Sequence, residues 1–188
     1  ENFNFDIPNE LPPISSILSG YFSYDIIRYI EKIPNKTKND LMIPDTRILR
    51  PKNLIVHDNI KKKIFFIVNC FSDEKINNFE KKYDQIRKRV EEMIFLANYN
   101  NKRIISKNIS NNPKVKSNIT KKKFIKNVIK AKNYIKIGDI FQVVLSQRFE
   151  TKLIKHPLEI YKKLRKTNPS PFMYFFNFND FQIIGASP

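Results

Sequence analysis

The side chains with the most chemical promise lie in one short run, residues 138–149, GDIFQVVLSQRF. It reads as the end of a helix passing into a strand over residues 140–150. Side chains of an extended chain alternate between faces, so Ile140, Gln142, Val144, Ser146 and Arg148 share one side. Phe141, Val143, Leu145, Gln147 and Phe149 share the other, which is expected to be mainly hydrophobic core. The first side lines up an amide that both donates and accepts, a hydroxyl, and a guanidinium suited to a carboxylate. Spacing alone favours a solvent-exposed polar row. For Arg148, a structural ion pair is at least as good a reading as a substrate contact.

The other candidates carry less chemistry. Residues 168–173, NPSPFM, hold Pro169 and Pro171 ahead of a strand, and on spacing they are a rigid connector. Cys70 stands alone in the chain, so it forms no internal disulfide and belongs to no cysteine-rich zinc pattern. It ends an apolar strand with no histidine beside it, the setting expected of a buried, inert thiol. His57 and His156 are isolated and do not make a metal site, so no metal ligand is assigned. Glu91 and Glu92 lie on a charged helix face, and Asp139 helps the helix-to-strand turn.

The elements that would position these groups follow from periodicity. Residues 1–19 are an irregular, proline-bearing lead-in. In residues 20–33 a strand end precedes a helix with Ile26, Ile27, Ile30 and Ile33 on one stripe, closed by Pro34. Residues 35–45 are a surface loop. Apolar runs at 53–57 and 64–70 flank a polar turn and predict a β-hairpin. Residues 74–98 predict the longest helix, with Phe79, Tyr83, Ile86, Val90, Met93 and Ala97 recurring at steps of three and four. Thr120 caps the next helix, whose buried stripe is Phe124, Val128, Ala131 and Ile135, and Gly138 suits its end. A short helix at 157–166 and strands at 172–178 and 181–186, turning at Asn179 and Asp180, complete the chain. Helices and hairpins alternate without βαβ spacing, so the fold class is α+β, mainly antiparallel sheets packed with helices. The expected division is a first region at 1–99, a linker at 100–118, and a second region beginning at 119 and running to 188.

Composition narrows the function classes. The chain has 188 residues, 41% hydrophobic, and a formal net charge of +17. No apolar run approaches the roughly 18 residues that span a bilayer, so no membrane partner is expected, and a lone cysteine fits a reducing, cytoplasmic setting. The charge invites a basic nucleic-acid-binding module as a reading from another class. Against it, the excess is nearly all lysine, scattered over every element and accompanied by abundant Asn and Ile, the pattern of A/T-rich codons. Arginine, the residue of bidentate base contacts, is scarce, so no specific nucleic-acid partner is expected.

GDIFQVVLSQRF, with the preceding AKNYIKI, resembles the chorismate-utilising enzymes, most closely the anthranilate synthase component I branch. Three further blocks agree in order: GYFSYDIIRYIE, NPSPFMYF and FQIIGASP. The resemblance implies conversion of chorismate and ammonia into anthranilate and pyruvate in L-tryptophan biosynthesis. The ammonia would come from a glutamine amidotransferase subunit, and Mg²⁺ would hold the substrate carboxylate. Aminodeoxychorismate synthase component I, of the folate branch, is the nearest alternative.

Gln142 stands where relatives that add water carry a lysine general base. Neutral ammonia has its own lone pair and needs placing more than deprotonation, so the resemblance implies a positioning role for Gln142. Pro171, Phe172 and Met173 would contact L-tryptophan as feedback inhibitor, a polarizable thioether suiting an indole. Phe172 replaces a frequent tyrosine, and the partner Leu-Leu-Glu-Ser segment has no counterpart here. Ser23 replaces a usual glycine, which is expected to leave that backbone less free. The catalytic acid that follows Gly-Ala-Ser-Pro and the Mg²⁺ glutamates would fall beyond residue 188. The chain is therefore expected to be an incomplete protein, inactive alone.

Overall fold

The computed structural model describes residues 7–36, 39–71, 74, 77–99 and 113–187. The chain divides into two units, Glu1–Lys102 and Arg103–Pro188. Among the described residues every strand belongs to an antiparallel pair, and with the helices this makes an α+β protein.

In the first unit, β1 (Ser19–Phe22) pairs with β2 (Thr46–Leu49), a strand too short to announce itself by alternation. The helix expected through Ile33 is instead one 3-10 stretch, Tyr24–Tyr29, and Ile30 is exposed. Arg28 reaches both Asp25, at 2.7 Å, and the Pro34 carbonyl, at 2.9 Å, drawing the following chain back across the short helix. Ser23 has φ −73° and ψ 163°, an extended conformation open to any residue, so serine in place of glycine leaves no strain. Its hydroxyl instead donates to Asp45 Oδ1 at 3.0 Å, tying the start of the helix to the approach to β2.

The expected hairpin is present as β3 (Asn53–Asp58) and β4 (Lys63–Val68), in register from Asn53 opposite Val68 to Asp58 opposite Lys63. The strand stops short of Cys70, which is exposed rather than buried as expected. Asp58 Oδ1 accepts the backbone N–H groups of Ile60 and Lys61 at 2.9 and 2.8 Å and so builds the turn. The Lys61 bond above all holds the Asp58 carboxyl below its usual range.

Helix α1 (Phe79–Asn98) packs on β4, and among the described residues of this unit Ile67 and Met93 are the buried apolar ones. It begins later than expected, at an Asn78 cap whose Oδ1 accepts from Lys81 N at 2.9 Å. The inward stripe shifts accordingly. Ile86, Val90 and Met93 turn inward, whereas Phe79, Tyr83 and Ala97 are exposed. Lys82 completes the inward row. Its ammonium bonds Glu74, which also binds Lys52 at 2.9 Å. The bond from Lys82, then that from Lys52, lowers the Glu74 carboxyl to about 2.

In the second unit, α3 (Pro157–Thr167) lies on the hairpin of β7 (Phe172–Phe178) and β8 (Phe181–Ser187), close to the expected bounds. Tyr161 meets Phe175 with ring centroids 5.9 Å apart, so the odd-numbered residues of β7 face α3. The other side carries an aromatic row. Tyr174 to Phe176 is 5.6 Å, Phe176 to Phe178 is 5.7 Å, and buried Phe178 reaches Phe181 at 5.1 Å. His156, isolated in sequence, caps α3: its Nδ1 accepts from Leu158 N at 3.3 Å. Of the expected linker, residues 100–112 lie outside the described residues, while Lys116–Ser117 forms β5, paired with β6 (Phe149–Glu150).

Candidate functional site

The run that opened the sequence reading begins at the end of α2 (Lys121–Lys136), which carries Phe124, Val128 and Ala131 half-buried along one stripe; Ile135, expected there, is exposed. Thr120 Oγ1 accepts from Lys123 N at 3.3 Å and caps the helix. At the other end Gly138 takes φ 86°, the left-handed region that a side chain disfavours. That single residue bends the chain out of the helix. Gly138 N then bonds Ile135 O, and Asp139 N bonds Tyr134 O, satisfying the last carbonyls.

Beyond the bend, only Phe149–Glu150 of the expected strand at 140–150 is paired, and residues 140–148 have no ladder partner among the described residues. The expectation of a core face at Phe141 and Val143 is corrected: Phe141 is 93% exposed and Val143 44% exposed. A strand's core is made by its neighbours, and this segment has none here until residue 147.

From there the chain is clamped to the segment around β5. Gln147 Nε2 donates to Ser117 Oγ at 2.8 Å. Arg148 N donates to Asn118 Oδ1, and Arg148 O accepts from Asn118 N, both at 3.0 Å. The Arg148 guanidinium bonds the Glu150 carboxylate at 2.9 Å, the structural ion pair that its spacing allowed.

Of the residues expected to share a face, Gln142 and Ser146 are exposed, and Arg148 is half-buried and committed to Glu150. Gln147, placed by alternation on the apolar side, is the amide that finds a partner. Neighbouring serines and asparagines far apart in sequence gave no signal for that bond.

The effector candidates fall at the start of β7. Pro171 and Phe172 are exposed, and Met173 is half-buried on the side facing α3, opposite to Phe172. A ligand meeting both Phe172 and Met173 must therefore lie across the strand start near Pro171, not flat on one sheet face. Ser170 Oγ accepts from Phe172 N at 3.3 Å and holds that start in place.

A separate cleft of about 540 Å³ lies beside the β5–β6 pair, with Lys114, Lys116 and Lys152 around Glu150. Neither Gln142 nor the β7 residues line it. Among the described residues no group of three or more His, Cys, Asp or Glu side chains is placed to hold a metal ion. Nor is any helix there long and apolar enough to cross a membrane.

The chain resembles known proteins in sequence and in fold. A family model described as chorismate binding enzyme matches residues 3–188. The chain belongs to the chorismate-binding enzyme family. It is 38% identical over 186 residues to an anthranilate synthase component 1 of Cereibacter sphaeroides, covering 97% of this chain and 37% of that relative. It is also 38% identical over 199 residues to the protein of that name from Acetivibrio thermocellus, with the same two coverages. Its fold matches the crystal structure of anthranilate synthase component I from Streptococcus pneumoniae TIGR4, with a TM-score of 0.79 and 30% identity. That match covers 94% of this chain and 39% of the other. The chain thus spans little more than a third of the length of these relatives.

Proposed function

We propose that the protein of which these residues form part acts as an anthranilate synthase component I, converting chorismate and ammonia to anthranilate, pyruvate and water on the way to L-tryptophan. One observation carries the reading: identity of 38% along 97% of the chain to relatives bearing that name. The word component in those names points to a second subunit, and a glutamine amidotransferase is the partner whose chemistry supplies ammonia. The setting is the cytoplasm.

The role of this stretch is to position. Gln142 offers an uncharged amide that holds ammonia by its hydrogens or accepts from it, with no proton to remove. The clamp of Gln147 and Arg148 to Ser117 and Asn118 fixes the chain a few residues downstream and so limits where that amide can reach. Mg²⁺, when bound to the whole protein, would hold a substrate carboxylate. The strand start at Pro171, Phe172 and Met173 takes L-tryptophan as feedback inhibitor. On this reading the 188 residues alone are inactive.

The test is the product. Full-length protein is incubated with chorismate, ammonium and Mg²⁺, with anthranilate followed by fluorescence and pyruvate by a coupled assay. Equal amounts of both are expected. An aminated product formed without pyruvate would instead place the protein on the folate branch, and no amination would remove the reading.

A further inference from the structure

Asn118 does with its side chain what a strand residue ordinarily does with its backbone. Lys116 and Ser117 pair antiparallel with Glu150 and Phe149, and the same register sets Asn118 opposite Arg148. A hydrogen-bonded antiparallel pair exchanges one N–H to carbonyl bond in each direction. Asn118 N makes the first, donating to Arg148 O at 3.0 Å. The second goes to a substitute: Arg148 N donates to Asn118 Oδ1, also at 3.0 Å. The backbone is thereby free to leave the ladder and reach the Thr120 cap of α2. Ser117 fastens the neighbouring residue. Its hydroxyl accepts from Gln147 Nε2 at 2.8 Å and from Ile119 N at 3.2 Å, and donates to Ile119 O at 2.7 Å. That is the full capacity of one hydroxyl.

These bonds tie a return segment to the start of the helix it leaves. From Gly138, at the far end of α2, the chain must come back to Arg148 beside Asn118. The 16 residues of α2 make it about 24 Å long, and the ten residues after Gly138 reach at most about 33–36 Å. About two-thirds or more of that reach is used, so the segment has little slack while Arg148 is held. Gln142 lies within it, between the Gly138 bend and the clamp. With Arg148 released, the amide is tethered from the helix end alone.

From this we infer that Asn118, with Ser117 beside it, is a positioning residue for the amination: it acts through Gln142, by holding the segment that carries the amide. The inference rests on the proposed function for the role of Gln142 and goes beyond it by naming the groups that aim that amide. The clamp itself rests on the hydrogen bonds. Aspartate at 118 would keep the accepting oxygen and alanine would remove it.

The test uses full-length protein with chorismate, Mg²⁺ and varied ammonium, with anthranilate followed by fluorescence. Asn118→Ala is expected to lower kcat/KM for ammonia about 3- to 10-fold while the KM for chorismate stays within about twofold. Asn118→Asp should stay within about twofold of wild type in both. In a Gln142→Leu background Asn118→Ala should cost nothing further, since the group it aims is gone. An equal loss in both backgrounds overturns the inference, as does a loss shared by Asn118→Asp. Asn118→Ala kinetics indistinguishable from wild type also overturn it. Should Asn118→Ala not fold, Ser117→Ala is expected to show a smaller loss that likewise vanishes with Gln142→Leu, and additive losses there overturn the inference. A wild-type protein that makes no anthranilate removes the proposed function and the inference together. An active wild type with additive variants removes the inference alone.

Discussion

Gly185 faces Tyr174 across the β7–β8 register, and the tyrosine ring occupies the space that a side chain would take. A Cβ built on Gly185 would meet Tyr174 Cζ at 2.1 Å, Oη at 2.2 Å and Cε2 at 2.6 Å. Carbon atoms in contact settle at about 3.5–4.0 Å, so in a Gly185→Ala variant the ring must retreat by about 1.5 Å. Tyr174 is 40% exposed and can swing toward solvent, which relieves the clash without moving backbone. Its ring then leaves Phe176, a contact worth about 0.5–1.5 kcal/mol, and re-exposing about 40 Å² of ring adds about 1 kcal/mol. Alanine's advantage over glycine within a strand returns about 0.5 kcal/mol. The net expectation is a loss of about 1–2 kcal/mol. Urea unfolding of the full-length protein should show this as a lower midpoint with unchanged slope. A double-mutant cycle with Tyr174→Ala isolates the cause. In that background Gly185→Ala should be neutral or slightly stabilising, giving a coupling of about 1–2 kcal/mol. Equal costs in both backgrounds would refute the reasoning, since the ring could not then be what fills the site.

Three further outcomes follow from the site and its supports. The Glu74 carboxyl stands at about 2 in the folded protein against an ordinary 4.5, so its contribution is complete above about pH 4.5 and fades as pH falls toward 2. Glu74→Gln should flatten the stability curve of the full-length protein in that window; an unchanged acid limb would show that the lysine pair is not holding the carboxylate. Gln142→Leu should lower ammonia-dependent kcat by about 10- to 100-fold with a smaller change in the KM for chorismate; unaltered kinetics would end the positioning role. Met173→Asp should weaken L-tryptophan binding to the full-length protein by at least about 10-fold, because the indole loses its thioether partner and meets a charge. Calorimetry giving an unchanged Kd would remove the β7 start from the effector site.

Local signals in the sequence were sufficient for several interactions whose partners lie close together along the chain, although the Asn78 and His156 caps and the early end of the short helix at Tyr29 escaped them. Thr120 and Gly138 mark the two ends of α2 because a cap and a left-handed turn are decided by a few neighbouring residues. The β3–β4 and β7–β8 hairpins follow from apolar runs joined by short polar turns, and the four ordered blocks point to the family. Tertiary structure alone decided the rest. The inward stripe of α1 moved from Phe79 and Tyr83 to Lys82 because Glu74, outside the helix, supplies a buried-side partner that no periodicity encodes. Alternation sorted the side chains of residues 140–150 into two faces, but a face becomes core only when neighbouring strands cover it. The bond from Gln147 to Ser117 joins positions whose proximity depends on how the chain returns. Opposite orientations of Phe172 and Met173 followed from the strand period, yet only the Tyr161–Phe175 contact showed which of them faces α3.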